Sequence, residues 1–219
     1  MVAVPERALQ ELRAKAGGGY QPRLFILSAP SGTGKDAVLA RLRERMPDVR
    51  VVVTCTTRSR RPEEVDGVHY QFVSEADFLA MRSRGDLLED VQYAGHYYGV
   101  PAGPVRDAIA RGQDVILKIE VRGGSIVKLQ VPGTILVFLA PPSVEELQRR
   151  LEQAQRERGV SSTADFDNRL AQAQRELACI PGYDYLIVNH PGRLDDAVAQ
   201  FETIILAERL RVNATPVRV

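Results

Sequence analysis

Leu24-Phe25-Ile26-Leu27-Ser28-Ala29-Pro30-Ser31-Gly32-Thr33-Gly34-Lys35-Asp36 opens on four apolar residues and ends where a helical pattern begins. A short apolar run before a glycine-rich turn predicts a strand buried on both faces. Gly32 and Gly34 let backbone N–H groups turn inward toward phosphate oxygens, and the start of the next helix adds a favourable dipole. Lys35 then reaches the terminal phosphates of a nucleoside triphosphate. Ala29, Pro30, Ser31, Gly32, Thr33, Gly34, Lys35 and Asp36 are therefore the predicted triphosphate-binding residues.

This loop departs twice from the full P-loop pattern. Ala29 stands in place of the first Gly, and Asp36 in place of the Ser or Thr whose hydroxyl meets Mg²⁺. An acid at a helix N-terminus suits the dipole, but it repels a triphosphate unless a cation intervenes. Two roles are open for Asp36: a metal ligand acting through water, or a cap turned away from the phosphates.

Outward from the loop, short apolar runs alternate with amphipathic stretches. Strands are predicted at Leu24–Leu27, Val49–Thr54, Val115–Leu117, Thr134–Leu139 and Tyr185–Val188. Helices are predicted at Asp36–Met46, stopped by Pro47, and near 101–111, 122–130, 143–158, 165–178 and 193–211. Continuous apolar strands separated by helices imply an α/β fold with a central parallel sheet covered on both faces. Residues 56–100 break the rhythm, being polar and tyrosine-rich. One helix (Glu75–Arg84) and short strands within Val68–Val73 and Leu87–Val100 predict a small mixed lobe inserted into the core. Glu6–Ala16 has helical periodicity ended by Gly17-Gly18-Gly19, which predicts a separate leader arm.

Composition narrows the function. With 29 Lys plus Arg against 28 Asp plus Glu, the net charge is +1, which argues against a general nucleic-acid binder. Within the positive set 25 are Arg and four are Lys (Lys15, Lys35, Lys118 and Lys128), and Arg is the bidentate ligand for phosphate. No apolar run approaches the roughly 18 residues of a membrane span, and residues 1–20 lack the apolar centre of a signal peptide. Cys55 and Cys179 have no Cys or His neighbour at ligand spacing, so the expectation is reduced thiols in a cytoplasmic protein without zinc.

A second anion site is readable after the second strand, in Thr54-Cys55-Thr56-Thr57-Arg58-Ser59-Arg60-Arg61-Pro62-Glu63-Glu64-Val65-Asp66-Gly67-Val68-His69-Tyr70. Two guanidinium groups three residues apart, with a phenol further on, make a compact donor set for a dianionic phosphate, and Glu64 is placed to hold one Arg. Leu88-Glu89-Asp90 and Gly95-His96-Tyr97-Tyr98-Gly99 add a carboxylate and more phenols.

These motifs resemble the guanylate kinase family, which carries T-T-R-x-x-R-x-x-E-x-x-G-x-x-Y, then a Glu in an "LE" element and a YYG turn, in this order. The resemblance continues through Ile119-Glu120-Val121-Arg122-Gly123, Pro141-Pro142-Ser143, Arg149-Arg150-Leu151, Arg169-Leu170, Tyr183-Asp184-Tyr185, Val188-Asn189 and Ala207-Glu208-Arg209, covering roughly 23–211. It implies a three-layer αβα P-loop fold with an inserted GMP-binding lobe and a helical lid. The implied plan is a flexible arm (1–21), a kinase domain (22–211) and a C-terminal tail (212–219). Within the domain the core is 22–55, 101–143 and 170–211, the lobe 56–100 and the lid about 144–169.

Position by position, the resemblance implies that Arg58, Arg61, Tyr70 and Tyr98 hold the GMP phosphate. Glu64 supports them, Glu89 accepts from guanine N1–H and its amine, and Thr54 helps at the base. Lys118 and Glu120 stand close to GMP and the metal, and Asn189 belongs to the ATP side. Asp36 and Glu120 are the implied ligands of Mg²⁺, directly or through water. Lys35, Arg150, Arg158 and Arg169 would carry catalysis, with Arg156 a competitor to Arg158 because Glu152–Glu157 runs about four residues longer than usual. The partners implied are ATP and GMP, for a monomer or small homo-oligomer.

Further departures concern the same site. Lys118 and Glu120 replace two acidic residues, and Lys118 reverses the charge; an ion pair from Lys118 to Asp36 would restore local balance. Val100 removes a hydroxyl expected near the base. Two other readings are a ribose 1,5-bisphosphate kinase, whose loop can carry Gly-Lys-Asp, and a non-catalytic guanylate-kinase-like protein-binding domain. The complete set Arg58, Arg61, Glu64, Tyr70 and Glu89 argues against the first, and the retained Gly34-Lys35 against the second.

Overall fold

Strand β1 (Leu24–Ser28) is buried along its whole length, and its alternating side chains divide the protein into two cores. Phe25 and Leu27 face one side, where they pack with Val38, Leu39 and Leu42 of α1 (Lys35–Arg45) and with Val198, Phe201 and Ile205 of α7 (Leu194–Arg209). Leu24 and Ile26 face the other, against Val105 and Ala108 of α3 (Ala102–Ala110) and Val127 of α4 (Val121–Gln130). This period of two, with apolar residues on both phases, is what a strand between two helical layers requires. Residues 21–62, 64–93, 95–157 and 163–219 are described by this computed structural model. The arm expected over 1–21 lies, apart from Gln21, outside the described residues.

The central sheet has five strands in the order β2 (Arg50–Val52), β7 (Val115–Lys118), β1, β8 (Ile135–Ala140), β9 (Tyr185–Val188). Every neighbouring pair is parallel. The second sheet, β4 (Gln71–Phe72), β3 (Cys55–Thr56), β6 (His96–Pro101), β5 (Leu87–Tyr93), is mixed: β3 pairs parallel with β4 and antiparallel with β6. Helix α2 (Glu75–Ser83) packs on this lobe; it begins at Ser74, whose Oγ accepts from Asp77 N. Helices α5 (Val144–Glu157) and α6 (Thr163–Leu177) pack on one another through Leu147, Leu151 and Ala173.

The differences from expectation lie where the chain changes layer. Of Val49–Thr54, expected as one strand, only Arg50–Val52 joins the central sheet, and the lobe sheet begins just past it with Cys55–Thr56. Val53 and Thr54 make the passage, so the lobe sheet begins at Cys55 and ends at Pro101 rather than spanning 56–100. Only Gln71–Phe72 of the expected Val68–Val73 run is strand, because just these two residues pair with β3. Helix α6 runs unbroken across the expected boundary between lid and core at residue 169. The C-terminal tail is tied down: Val217 is buried in the second core, and a Cβ on Gly133 would stand 2.4 Å from the Thr215 carbonyl. Among the described residues no helix is long and apolar enough to cross a membrane.

Candidate active site

The glycine-rich turn connects β1 to α1 in the conformation its sequence calls for. Gly32 and Gly34 take φ of 83° and 96°, left-handed values that only glycine adopts without strain. Lys35 Nζ folds back to donate to the Ala29 carbonyl, and the Pro30 carbonyl accepts from Thr33 N at 3.3 Å. Ser31 and Gly32 are exposed, Thr33 is buried, and Lys35 Nζ lies 3.8 Å from Glu120 Oε1. Asn189, at the end of β9, donates from Nδ2 to the Thr33 carbonyl at 2.8 Å. A Cβ on Gly34 would come within 2.9 Å of that Nδ2, so glycine is needed there for space as well as for φ.

Two of the predicted lid arginines reach the loop. Arg169 on α6 donates from Nη2 to Ser31 Oγ at 3.1 Å. Arg150 on α5 donates to the Asn189 carbonyl at 2.9 Å, to the Thr33 carbonyl at 3.3 Å and to Glu146 Oε1 at 2.6 Å. Its guanidinium thus clamps the loop backbone to the end of β9. Arg156 is exposed and lies 4.0 Å from Glu152. Arg158 lies outside the described residues.

Opposite the loop, the lobe assembles the second set. Arg58 meets Glu64 through two bonds, Nη2–Oε1 at 2.7 Å and Nη1–Oε2 at 2.9 Å, the bidentate geometry that fixes a guanidinium plane. Arg61 N also donates to Glu64 Oε2 at 2.8 Å, while its side chain is exposed. Burial works to raise the Glu64 pKa, but the Arg58 hydrogen bonds, the Arg61 N–H and both guanidinium charges outweigh it and hold the carboxyl down at about 2. Arg58 lies over the Tyr70 ring at 5.6 Å, and Tyr70 meets Tyr98 edge-on at 6.0 Å. Burial, reinforced by the carboxylates of Asp36 and Glu120, raises the Tyr70 phenol well above its ordinary value, so it stays a hydrogen-bond donor.

One cavity is lined by Thr54, Tyr70, Glu89, Val91, Tyr98, Gly99, Lys118, Ile119 and Glu120. Glu89 and Thr54 are 5% and 4% exposed, and neither Glu89 Oε1 nor Thr54 Oγ1 has a hydrogen-bond partner among the described residues. Burial, with the nearby Asp90 charge, lifts the Glu89 carboxyl to about 7. Two buried, unsatisfied polar atoms on one cavity wall cost free energy that a ligand can recover. Val100 is fully buried across from Glu89 in the lobe hairpin and packs in the second core, so it contributes to that core rather than to the cavity lining.

The expected ion pair between Lys118 and Asp36 is present, Nζ–Oδ1 2.7 Å. For a hard divalent cation, Asp36 and Glu120 offer two carboxylates beside the loop, the oxygen-donor pattern that Mg²⁺ shares with substrate phosphates. Each of them meets a lysine, Lys118 and Lys35 respectively. The donor chemistry fits Mg²⁺ carried in with a triphosphate.

Two residues, Gly123 and Glu176, had no role assigned from the sequence. A Cβ on Gly123 would lie 2.4 Å from Glu89 Oε1, so α4 approaches the cavity closely only because this residue has no side chain. Gly123→Ala should therefore displace the Glu89 carboxylate and raise KM for GMP, the acceptor the resemblance implies, at least tenfold, roughly one charged hydrogen bond. KM for ATP should stay within twofold, and steady-state kinetics with each substrate varied in turn checks this. Glu176 on α6 is buried; burial and the Glu120 charge raise its carboxyl to about 6. Its one local signal was Gln172, four residues earlier on the same helix face, which donates to it at 3.0 Å.

Comparison with known proteins bears on the same residues. The guanylate kinase family model matches residues 21–208. The guanylate kinase of Synechococcus sp. (strain JA-3-3Ab) is 41% identical over 201 residues, covering 92% of this chain and 90% of that protein. The guanylate kinase of Gloeobacter violaceus is 44% identical over 186 residues, covering 85% of this chain and 88% of that protein. Among solved structures, the crystal structure of guanylate kinase from Anaplasma phagocytophilum superposes with a TM-score of 0.72 at 28% identity, covering 88% of each chain. With the glycine loop on the parallel sheet facing a buried carboxylate on the mixed sheet of the lobe, and with relatives matching over most of its length, the chain belongs to the guanylate kinase family.

Proposed function

We infer that this chain transfers the γ-phosphoryl group of ATP to GMP, giving ADP and GDP, with dGMP accepted in the same pocket. The observation that carries the choice of acceptor is the unsatisfied pair Glu89 Oε1 and Thr54 Oγ1 on one cavity wall. Guanine presents adjacent N1–H and amino donors that satisfy a carboxylate; adenine lacks that pair, and binding it would leave Glu89 buried and unpaired. Arg58, oriented by Glu64, together with Arg61, Tyr70 and Tyr98 then holds the acceptor phosphate.

The chemistry follows from charge. An oxygen of the acceptor phosphate attacks the γ-phosphorus in line, its new P–O bond forming as the bond to the β-phosphate oxygen breaks and ADP leaves. That oxygen is already anionic, so no general base is called for, and His69 is engaged elsewhere, its Nδ1 accepting from Val65 N at 3.0 Å. Lys35 and Arg169 approach the donor phosphates, and Arg150 keeps the loop in shape through the Thr33 and Asn189 carbonyls. Asp36 and Glu120 would hold magnesium arriving with the triphosphate, and the chemistry it would supply there is neutralisation of charge on the transferring group. Closure of α5 and α6 would exclude water, which would otherwise accept the phosphoryl group. We place the enzyme in the cytoplasm, where its free thiols Cys55 and Cys179 stay reduced.

A coupled assay of ADP release tests this reading. With ATP and Mg²⁺, turnover is expected with GMP and dGMP but not with AMP, CMP or ribose 1,5-bisphosphate. Equal rates with AMP, turnover of the sugar bisphosphate, or no GMP-dependent ADP would each overturn it.

A further inference from the structure

Lys118 is the last residue of β7, in register with Leu27 of β1, so it stands beside the strand that opens into the phosphate loop. Its Nζ meets three parts of the fold at once. It is 2.7 Å from Asp36 Oδ1 on α1 and 4.6 Å from the centre of the Tyr70 ring in the lobe, and it lines the Glu89 cavity. It also lines a second cleft between α1 and the lobe, with Asp36, Leu39, Thr54 and His69. The ion pair is lopsided: the Lys118 side chain is 11% exposed and that of Asp36 71%. Water can take over Asp36 at little cost, as for a surface ion pair. An ammonium this buried must find another anion if it leaves Asp36. Of the other carboxylates beside this cavity, Glu120 faces Lys35 at 3.8 Å, and Glu89 is the one the proposed function gives to the guanine base. A dianionic phosphate held between Arg58, Tyr70 and Tyr98 is the remaining candidate.

We propose that Lys118 is a ligand of the acceptor phosphate that Asp36 holds in reserve, and that GMP binding exchanges the Asp36 carboxylate for the GMP phosphate on the Lys118 ammonium. Asp36 is thus an internal competitor of the acceptor. When Asp36 turns to a cation arriving with ATP, Lys118 is set free, and the donor and acceptor sites are coupled through this one side chain. Coupling of this kind is reciprocal: whatever the donor complex adds to GMP affinity, GMP adds to the affinity of the donor complex. The proposal rests on GMP being the acceptor.

Titration calorimetry of GMP into the full chain, in metal-free buffer with chelator, reads the exchange directly and needs no turnover. Asp36→Asn is expected to bind GMP about tenfold tighter than the parent, since it removes the competitor for a charged hydrogen bond. Lys118→Met is expected to bind about tenfold weaker, Lys118→Arg to recover most of the loss, and the Asp36→Asn, Lys118→Met double variant to match Lys118→Met alone. Adding Mg²⁺ with a non-hydrolysable ATP analogue should tighten GMP binding in the parent and leave Asp36→Asn unchanged. Weaker GMP binding by Asp36→Asn, unchanged binding by Lys118→Met, or additive effects in the double variant would overturn the exchange. Those results leave the acceptor assignment intact if the coupled assay still shows GMP-dependent ADP. A parent chain that neither binds nor turns over GMP overturns both.

Discussion

Lys35→Ala should lower kcat for GMP phosphorylation by on the order of 10²–10³-fold, the range for deleting one preorganised donor to developing charge. In the structure Lys35 is held in place before any substrate arrives: its Nζ donates to the Ala29 carbonyl and lies 3.8 Å from Glu120, and its side chain is only 13% exposed. A charge so oriented costs little reorganisation as the phosphoryl group transfers, which is why the loss belongs in kcat more than in KM. The variant should remain folded, because Glu120 is 37% exposed and water can solvate it once its partner is gone. Steady-state kinetics beside a thermal melt separates the two effects. A kcat within a factor of about three of the parent would remove Lys35 from the catalytic machinery.

Glu89→Gln should cost roughly 10²–10³-fold in kcat/KM for GMP, the range for breaking a buried, charged hydrogen-bonded contact. The same carboxyl sets a pH dependence whose sign is determined by burial. Ionised Glu89 is the form that would accept from guanine under the proposed function, and burial, then the Asp90 charge, has lifted it to about 7. Below that pH the group carries a proton that must leave for GMP to bind, so GMP affinity should fall as pH drops below about 7, approaching tenfold per unit, and level off above it. GMP's own phosphate also titrates, near pH 6. The comparison is therefore with Glu89→Gln, in which only the phosphate's contribution should survive. Identical pH profiles for the two proteins would show that Glu89 is not the titrating acceptor. Folding stability should run the other way. A carboxyl raised from 4.5 to about 7 contributes stability that is full below 4.5 and is lost as pH rises through 7, so the ligand-free protein gives up stability over the window in which GMP affinity grows.

The parts of the site that could be read in advance are those whose chemistry is local. Gly32 and Gly34 have positive φ because a strand turning at once into a helix needs it, and that requirement is visible in Gly-Thr-Gly-Lys itself. Arg58 and Glu64 are six residues apart on a tight lobe segment, close enough for the sequence to suggest the pair. The pairing of Asp36 with Lys118 spans 82 residues and was still foreseeable, because an added acid and a reversed charge in one known pattern balance only if they meet. Arg150 shows where this stops. Its place on the lid helix was legible, but its partners, the Thr33 and Asn189 carbonyls, are backbone atoms of distant segments that carry no sequence signature.

The continuous apolar run Leu24–Leu27, the glycine loop and the order of apolar runs determined by themselves a parallel sheet between helical layers, with a glycine-rich turn at the end of β1. Each of these follows from side-chain period and local backbone preference, which a linear chain carries with it. Only the tertiary structure decided that the central-sheet strand stops at Val52 and the lobe sheet starts at Cys55, that Gly123 must lack a Cβ to leave room for Glu89, and that Glu176 is buried within reach of the Glu120 charge. Those depend on which surfaces come together across the chain. β-branched residues look alike whichever sheet they join, and a glycine or a glutamate acquires its meaning only from the atoms packed against it.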